Sequence, residues 1–95
     1  MSHHPTDIIK ARGKRITEPF SHDKLHHSLK LALLSERSHE GEADITAEKV
    51  CSAVMMWLEE RPEVTSADLR RIASKHLHRY NPGAAYIYEH YRHTI

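Results

Sequence analysis

Residues 8–25, IIKARGKRITEPFSHDKL, decide the fold because they predict two kinds of structure in succession. β-Branched isoleucines lie on both sides of a basic turn that contains Gly13, a pattern typical of a short β-hairpin. Ser21 is a favoured residue type at a helix N-cap, so a helix is expected to begin directly after the second strand. A two-stranded ribbon is unstable alone, and the hairpin must therefore pack on the helices that follow it.

Apolar residues recur at helical spacing through the rest of the chain and predict four helices. The stripes expected to face a common core are Leu25, Leu29, Ala32 and Leu33 in the first helix, Val50, Val54, Trp57 and Leu58 in the second, and Leu69, Ile72, Ala73, His76 and Leu77 in the third. Tyr88 and Tyr91 share one face of the fourth helix, where aromatic residues usually fill the core. The predicted fold class is therefore α+β, with an N-terminal β-hairpin packed on a four-helix bundle.

Turn and capping residues set the expected boundaries of the second helix. Residues 35–44 are polar and contain Gly41, so they are expected to form the main loop. Thr46 is the expected cap of the second helix. Pro62 is expected to end it, because the residue before a proline disfavours the α-helical backbone.

The last two helices have start signals of their own. Thr65 and Asp68 form a capping box at the start of the third helix. Asn81 followed by Pro82 starts the fourth, with proline at the first helical position. Each side-chain cap satisfies a backbone N–H group that a helix leaves without a partner at its start.

Length and composition bound the class of protein. Ninety-five residues suit one domain, expected to span residues 7–95 after a disordered or tag-like N-terminus at residues 1–6. A formal net charge of +1 gives no general attraction to nucleic acid, and no run of about 18 apolar residues predicts a membrane span, so no membrane partner is expected. The single cysteine, Cys51, excludes an intramolecular disulfide and a cysteine-based zinc site, which fits a reducing cytoplasm.

Several motifs, in a fixed order, give the chain a resemblance to a known family. They are Ile8-Ile9-Lys10-Ala11-Arg12-Gly13, then Glu18-Pro19-Phe20-Ser21-His22-Asp23-Lys24-Leu25, then Val64-Thr65-Ser66-Ala67-Asp68-Leu69, and last Tyr88-Glu89-His90-Tyr91-Arg92-His93. Over residues 7–93 the pattern resembles the ATP-cone domain, the regulatory nucleotide-binding module of ribonucleotide reductases and of their bacterial transcriptional repressor. The resemblance implies a regulatory module that acts as an allosteric sensor of ATP or dATP and is not itself an enzyme.

The resemblance also implies a binding site for a nucleoside triphosphate, which Mg²⁺ usually accompanies. The implied nucleotide-binding residues are Lys10, Arg12, Glu18, Lys24, Ser66, Arg70 and Arg92. Fixed cations beside a helix N-terminus suit phosphate groups, and a carboxylate can accept hydrogen bonds from a nucleoside. The implied partners are a ribonucleotide reductase or a regulatory protein, and a second copy of the chain.

These residues also have plainer interpretations. The basic turn equally suits a solvated hairpin tip, and Glu18 suits a local ion pair with Arg15 or Lys24. The start of the third helix is explained by capping alone. The turn also departs from the family's Lys-Arg-Asp-Gly, so that either Arg12 or Arg15 would replace the missing arginine.

Two other functions are compatible with the sequence. The third helix carries the basic residues Arg70, Arg71, Lys75 and Arg79. A basic helix after a short turn can enter a groove of DNA, which makes a basic helical nucleic-acid-binding module the first alternative. A degenerate cone that serves only protein–protein interaction is the second.

Neither a metal site nor a catalytic site is expected. His22 and His26 have the i, i+4 spacing of two ligands on one helix face, and His90 and His93 have the i, i+3 spacing. No third ligand of matching spacing accompanies either pair. No arrangement of nucleophile, base and acid is recognisable in the chain.

Overall fold

A computed structural model describes residues 3–9 and 17–90 of the chain. Within these residues three strands and four helices occur: β1 His3–Ile9, β2 Thr17–Ser21, α1 His22–Ser35, α2 Glu40–Leu58, β3 Glu63–Thr65, α3 Ser66–His78 and α4 Pro82–His90. The α+β class predicted from the sequence is confirmed. None of the helices in this part of the chain has the length and apolar character needed to cross a membrane.

β1 lies in the middle of the sheet, whose strand order is β2-β1-β3. β2 pairs with β1 in the antiparallel direction, with Ile8 opposite Glu18 and Ile9 opposite Thr17, which confirms the predicted pairing of the two strands. The predicted turn around Gly13 lies outside the described residues. β3 pairs with β1 in the parallel direction and places Val64 beside Ile8. This third strand was not predicted, because three residues are too few to show a periodicity.

β1 begins at His3, inside the residues 1–6 that the sequence assigns to a disordered or tag-like N-terminus. Thr6 is buried, and its hydroxyl lies 2.7 Å from the carbonyl oxygen of Arg61 and 3.2 Å from a second carbonyl at the end of α2. Its single proton donates to one of them at a time. The N–H of Asp7 donates to the carbonyl of the residue after Arg61 at 2.9 Å. These bonds tie the central strand to the C-terminal end of α2.

The second helix begins earlier than predicted. Its N-cap is His39 rather than Thr46, so the loop expected over residues 35–44 is reduced to residues 36–39. Two acidic side chains lie in its first turn, where they interact favourably with the positive end of the helix dipole. Polarity alone was therefore a misleading sign of a loop in this stretch.

The other predicted helix starts are confirmed. Ser21, Thr65 and Asn81 each accept a hydrogen bond from a backbone N–H in the first turn of α1, α3 and α4, at 3.3, 3.0 and 3.0 Å. α2 ends at Leu58, in advance of the predicted stop at Pro62.

The predicted apolar stripes form one core with the sheet. The buried helical residues are Leu25, Leu29, Ala32 and Leu33 of α1, Val50, Cys51, Val54 and Leu58 of α2, and Leu69, Ala73 and Leu77 of α3. Ile8, Phe20 and Val64 join them from the three strands, and Tyr88 joins them from α4. Three residues expected in these stripes are only partly buried: Trp57 of α2, and Ile72 and His76 of α3.

Replacing Leu29 with alanine is expected to lower the free energy of unfolding by about 2–5 kcal/mol, because the shortened side chain leaves a cavity in the core. Leu29→Ala removes a fully buried side chain, whereas the control Leu31→Ala changes a residue of the same helix that is 40% exposed. The control should cost less than about 1 kcal/mol. Urea unfolding followed by circular dichroism measures both, and equal losses would contradict this orientation of α1.

Candidate functional site

A small recess lies where β1, β2 and the first turns of α1 and α3 meet, and we call it the β2–α1–α3 recess. Its polar lining residues are Glu18, Ser21, Lys24 and Ser66. Its apolar lining residues are Ile8, Phe20, Leu25 and Leu69. It encloses about 10 Å³, which is room for about one water molecule. Three of the seven predicted nucleotide-binding residues therefore meet at one place.

Local structure explains why these three side chains meet. Glu18 lies on β2 opposite Ile8 of the central strand, so its position is set by the hairpin register. Lys24 lies in the first turn of α1, which begins directly after β2. Ser66 is the first residue of α3 and follows Thr65, which pairs with the last residue of β1. Each contribution to the recess is therefore fixed by its connection to the sheet.

Glu18 and Lys24 form an ion pair at the recess. The Lys24 Nζ lies 2.8 Å from a carboxylate oxygen of Glu18, and the two side chains are 45% and 35% exposed. This is the local pairing that the sequence offers as an alternative role for Glu18. Ion pairs at this degree of exposure contribute little to stability, so an incoming ligand can separate the two groups at small cost.

The lining of the recess alone does not make a strongly cationic site. Among the described residues, it contains one acidic and one basic side chain, Glu18 and Lys24. The other cations predicted for phosphate binding, Lys10 and Arg12, lie outside the described residues. β1 ends at Ile9, the residue directly before Lys10, and Ile9 pairs with Thr17 on one side and with Thr65 on the other. The chain thus leaves β1 beside the strand residue that caps α3.

The remaining two predicted residues are not part of the recess as described. Arg70 lies one turn after Ser66 but lines a separate depression of about 320 Å³, whose walls include Glu89 and His90 of α4. Its Nε atom is buried and has no hydrogen-bond partner within the described part of the chain. Arg92 lies beyond α4, outside the described residues.

A second group of polar side chains lies between α1 and α2. We call it the α1–α2 cluster, and it consists of His22, His26, Glu48 and Cys51. One oxygen of Glu48 lies 3.0 Å from Nε2 of His22 and 3.2 Å from Nδ1 of His26. One potential ligand atom from each histidine and the sulfur of Cys51 all lie within 4.8 Å of one another.

The α1–α2 cluster changes one expectation from the sequence. The two histidines were expected to lack a third ligand because none has matching spacing, yet Cys51 approaches them from a different helix. Burial raises the pKa of the Cys51 thiol to about 12. Burial also lowers the pKa of His22, but hydrogen bonds to Glu48 and Asp23 outweigh it, and the pKa of His22 is raised overall. Spacing along the chain could not reveal donors contributed by two helices.

The basic residues of α3 do not all face solvent in the same way. Arg70 is partly buried, and Arg71 forms an ion pair with Asp68 at 2.7 Å. Lys75 and Arg79 are exposed, and so is Arg71. Three exposed cations, one of them already paired with Asp68, are a small surface compared with the phosphate contacts that DNA-binding proteins usually make.

Comparisons of the chain with family models, with curated proteins and with solved structures find no match. The functional interpretation therefore depends on the residues of this chain and on their geometry.

A double-mutant cycle with Glu18→Gln and Lys24→Gln is expected to give a coupling free energy of about 0.2–1 kcal/mol, because both side chains are solvated. The coupling should decrease in about 1 M NaCl, where the screening length is about 3 Å. Urea unfolding of the four proteins at low and high salt measures it. A coupling free energy above about 2 kcal/mol that is the same at low and high salt would contradict the claim that the Glu18–Lys24 pair is easily separated.

Proposed function

We propose that the chain is a regulatory module of the ATP-cone type that binds ATP or dATP at the β2–α1–α3 recess. The observation that supports this most is the meeting at one recess of Glu18 and Lys24, which are close in sequence, with Ser66, which lies on a helix much later in the chain. The sequence motifs are the basis of the resemblance to the ATP-cone family. The packing of the helices on the sheet forms the recess that we take as the candidate binding pocket.

The recess suits the nucleoside end of the ligand. Its apolar walls can pack against a base or a ribose, and the Glu18 carboxylate can accept hydrogen bonds from ribose hydroxyls or from an exocyclic amine. At about 10 Å³ the recess must widen to admit a nucleoside. Separation of Glu18 from Lys24 is the step that would begin this widening, since both side chains line the recess and both are partly exposed to solvent.

The phosphate end of the ligand would lie toward the end of β1 at Ile9 and the start of β2 at Thr17. Lys24, once separated from Glu18, would pair with a phosphate oxygen, and the Ser66 hydroxyl would donate to another. Lys10 and Arg12 follow β1 in the chain and would supply the remaining positive charge, with Mg²⁺ accompanying the triphosphate. We leave Arg70 out of the phosphate contacts, because it lines a separate depression.

Binding at this place would add contacts between elements that the sheet and the core already hold together. The ligand would touch the hairpin, α1 and α3 together, and α1 and α3 pack in turn on α2 and α4. A change in their packing would alter the surface offered to a partner in the cytoplasm, such as a ribonucleotide reductase, a regulatory protein or a second copy of the chain. By linkage, that partner would then bind one nucleotide state more tightly than another.

Isothermal titration calorimetry with ATP and with dATP tests the proposal. Lys24→Gln should weaken binding about tenfold to a hundredfold, the equivalent of about 1.5–3 kcal/mol for a hydrogen bond to a charged group. The matched control is Lys75→Gln, which removes an exposed lysine of α3 that does not line the recess. It should leave the affinity unchanged.

Three outcomes would contradict the proposal. The first is an absence of binding heat and of amide shifts with the unaltered protein at millimolar nucleotide. The second is a salt-dependent gel shift on duplex DNA that Lys75→Gln weakens, which would support the basic-helix alternative. The third is a complex with a partner protein whose affinity does not depend on nucleotide and is unchanged by Lys24→Gln, which would support a cone used only for protein contact.

A further inference from the structure

Both imidazole rings of the α1–α2 cluster have each of their nitrogens beside a carboxylate. The nitrogens of His22 lie 3.4 Å from Asp23 and 3.0 Å from Glu48. The nitrogens of His26 lie 3.2 Å from Asp44 and 3.2 Å from Glu48. A neutral imidazole carries only one N–H, so one nitrogen of each neutral ring points a lone pair at a carboxylate oxygen. Such an arrangement becomes favourable when the ring is protonated, since an imidazolium donates from both nitrogens, or when a metal cation lies among these groups.

The outer carboxylates have the positions that are typical around metal-ligating histidines. Such histidines usually donate their second ring N–H to a carboxylate, which fixes the ring orientation and the tautomer. Asp23 and Asp44 are placed to do this for His22 and His26 respectively. The inner nitrogens of both rings then face Glu48, with the sulfur of Cys51 nearby.

We propose that the α1–α2 cluster binds a divalent transition-metal ion of the zinc class. Two imidazoles, a thiolate and a carboxylate form a mixed donor set of the kind that zinc accepts in tetrahedral sites. The proposal is independent of nucleotide binding, because Glu48 and Cys51 do not line the β2–α1–α3 recess.

The geometry requires only small movements of side chains. Bonds of about 2.0–2.3 Å to zinc place tetrahedral ligands about 3.3–3.7 Å apart. The observed donor atoms of the histidines and Cys51 already lie within 4.8 Å of one another, and the half-exposed Glu48 side chain can rotate to become the fourth ligand. On binding, the metal–sulfur bond replaces the S–H bond of Cys51, and the proton is released to solvent.

Titration with Co²⁺ in the absence of nucleotide tests the site, because a cobalt–thiolate bond gives a charge-transfer band that imidazole and carboxylate ligands do not. One equivalent of Co²⁺ should produce the band, and Zn²⁺ should abolish it by displacement, because Zn²⁺ has no ligand-field preference against a tetrahedral site of nitrogen and sulfur ligands. Cys51→Ala should lack the band. The measurements use a His3→Ala/His4→Ala background, because these adjacent histidines could bind metal independently.

Replacement of the histidines measures how much each one contributes to the affinity for Co²⁺. His22→Ala and His26→Ala should each weaken Co²⁺ binding by at least about tenfold to a hundredfold, the range seen when even outer-shell partners are removed. His27→Ala changes an exposed histidine of the same helix and is the matched control, expected to bind as the background protein does. Lys24→Gln should also leave metal binding unchanged, which separates this proposal from the nucleotide site.

Metal-dependent stability supplies a readout for variants that fold less well. Zn²⁺ should raise the unfolding midpoint of the background protein, since it binds the folded state, but should not raise that of the His22→Ala/His26→Ala double variant. The proposal is overturned if saturating Co²⁺ gives no charge-transfer band, if the band persists in Cys51→Ala, or if His27→Ala weakens binding as much as His26→Ala does. In each of these cases the cluster is an ion-pair network between α1 and α2 and not a metal site.

Discussion

The pairing of β1 with strands on both of its sides is the constraint on which the rest of the structure depends. β2 leads directly into α1 and β3 leads directly into α3, so the register of each strand on β1 sets where its helix begins. The three-residue β3 is too short to persist without the neighbouring strand. Thr6 and Asp7 add bonds from β1 to the end of α2 and to the residues just after it. One strand thus positions three of the four helices.

α1 contributes to the core, to the β2–α1–α3 recess and to the α1–α2 cluster, because its side chains point in different directions around the helix. Leu25 and Leu29 face the core, and Lys24 lines the recess with Glu18. His22 and His26, one turn apart, face α2. The first two turns of this helix therefore contribute to both proposed sites, although the two sites use different faces and different partner elements.

The sequence predicted features that depend on local pattern and missed those that depend on distant packing. The antiparallel pairing of β1 with β2 and the caps Ser21 and Thr65 follow from residue types and spacing, and both are confirmed. The predicted buried face of α3 is confirmed for Leu69, Ala73 and Leu77. β3 was missed because its stability comes from parallel pairing with β1, which leaves no signal in three residues. The start of α2 was missed because its first turn is polar yet helical, with acidic side chains near the positive end of the helix dipole.

The candidate sites show the same limit. Glu18, Lys24 and Ser66 could be selected from motifs, but their apolar neighbours in the recess could be recognised only once the sheet was packed on the helices. Two of the four residues of the α1–α2 cluster, His22 and His26, could be recognised from their spacing in the sequence. Glu48 and Cys51 complete it from another helix, at a distance along the chain that no motif prescribes.

The most direct measurement of the central claim is a map of backbone amide shifts in ¹H–¹⁵N spectra as dATP is added. A nucleotide bound at the β2–α1–α3 recess predicts that the largest shifts fall on its lining residues, with Ile8, Glu18, Lys24 and Ser66 among them. Amides of the middle of α2 should move little. Shifts concentrated on the outer face of α3, or no shifts at millimolar dATP, would contradict the assignment of this recess as the binding site.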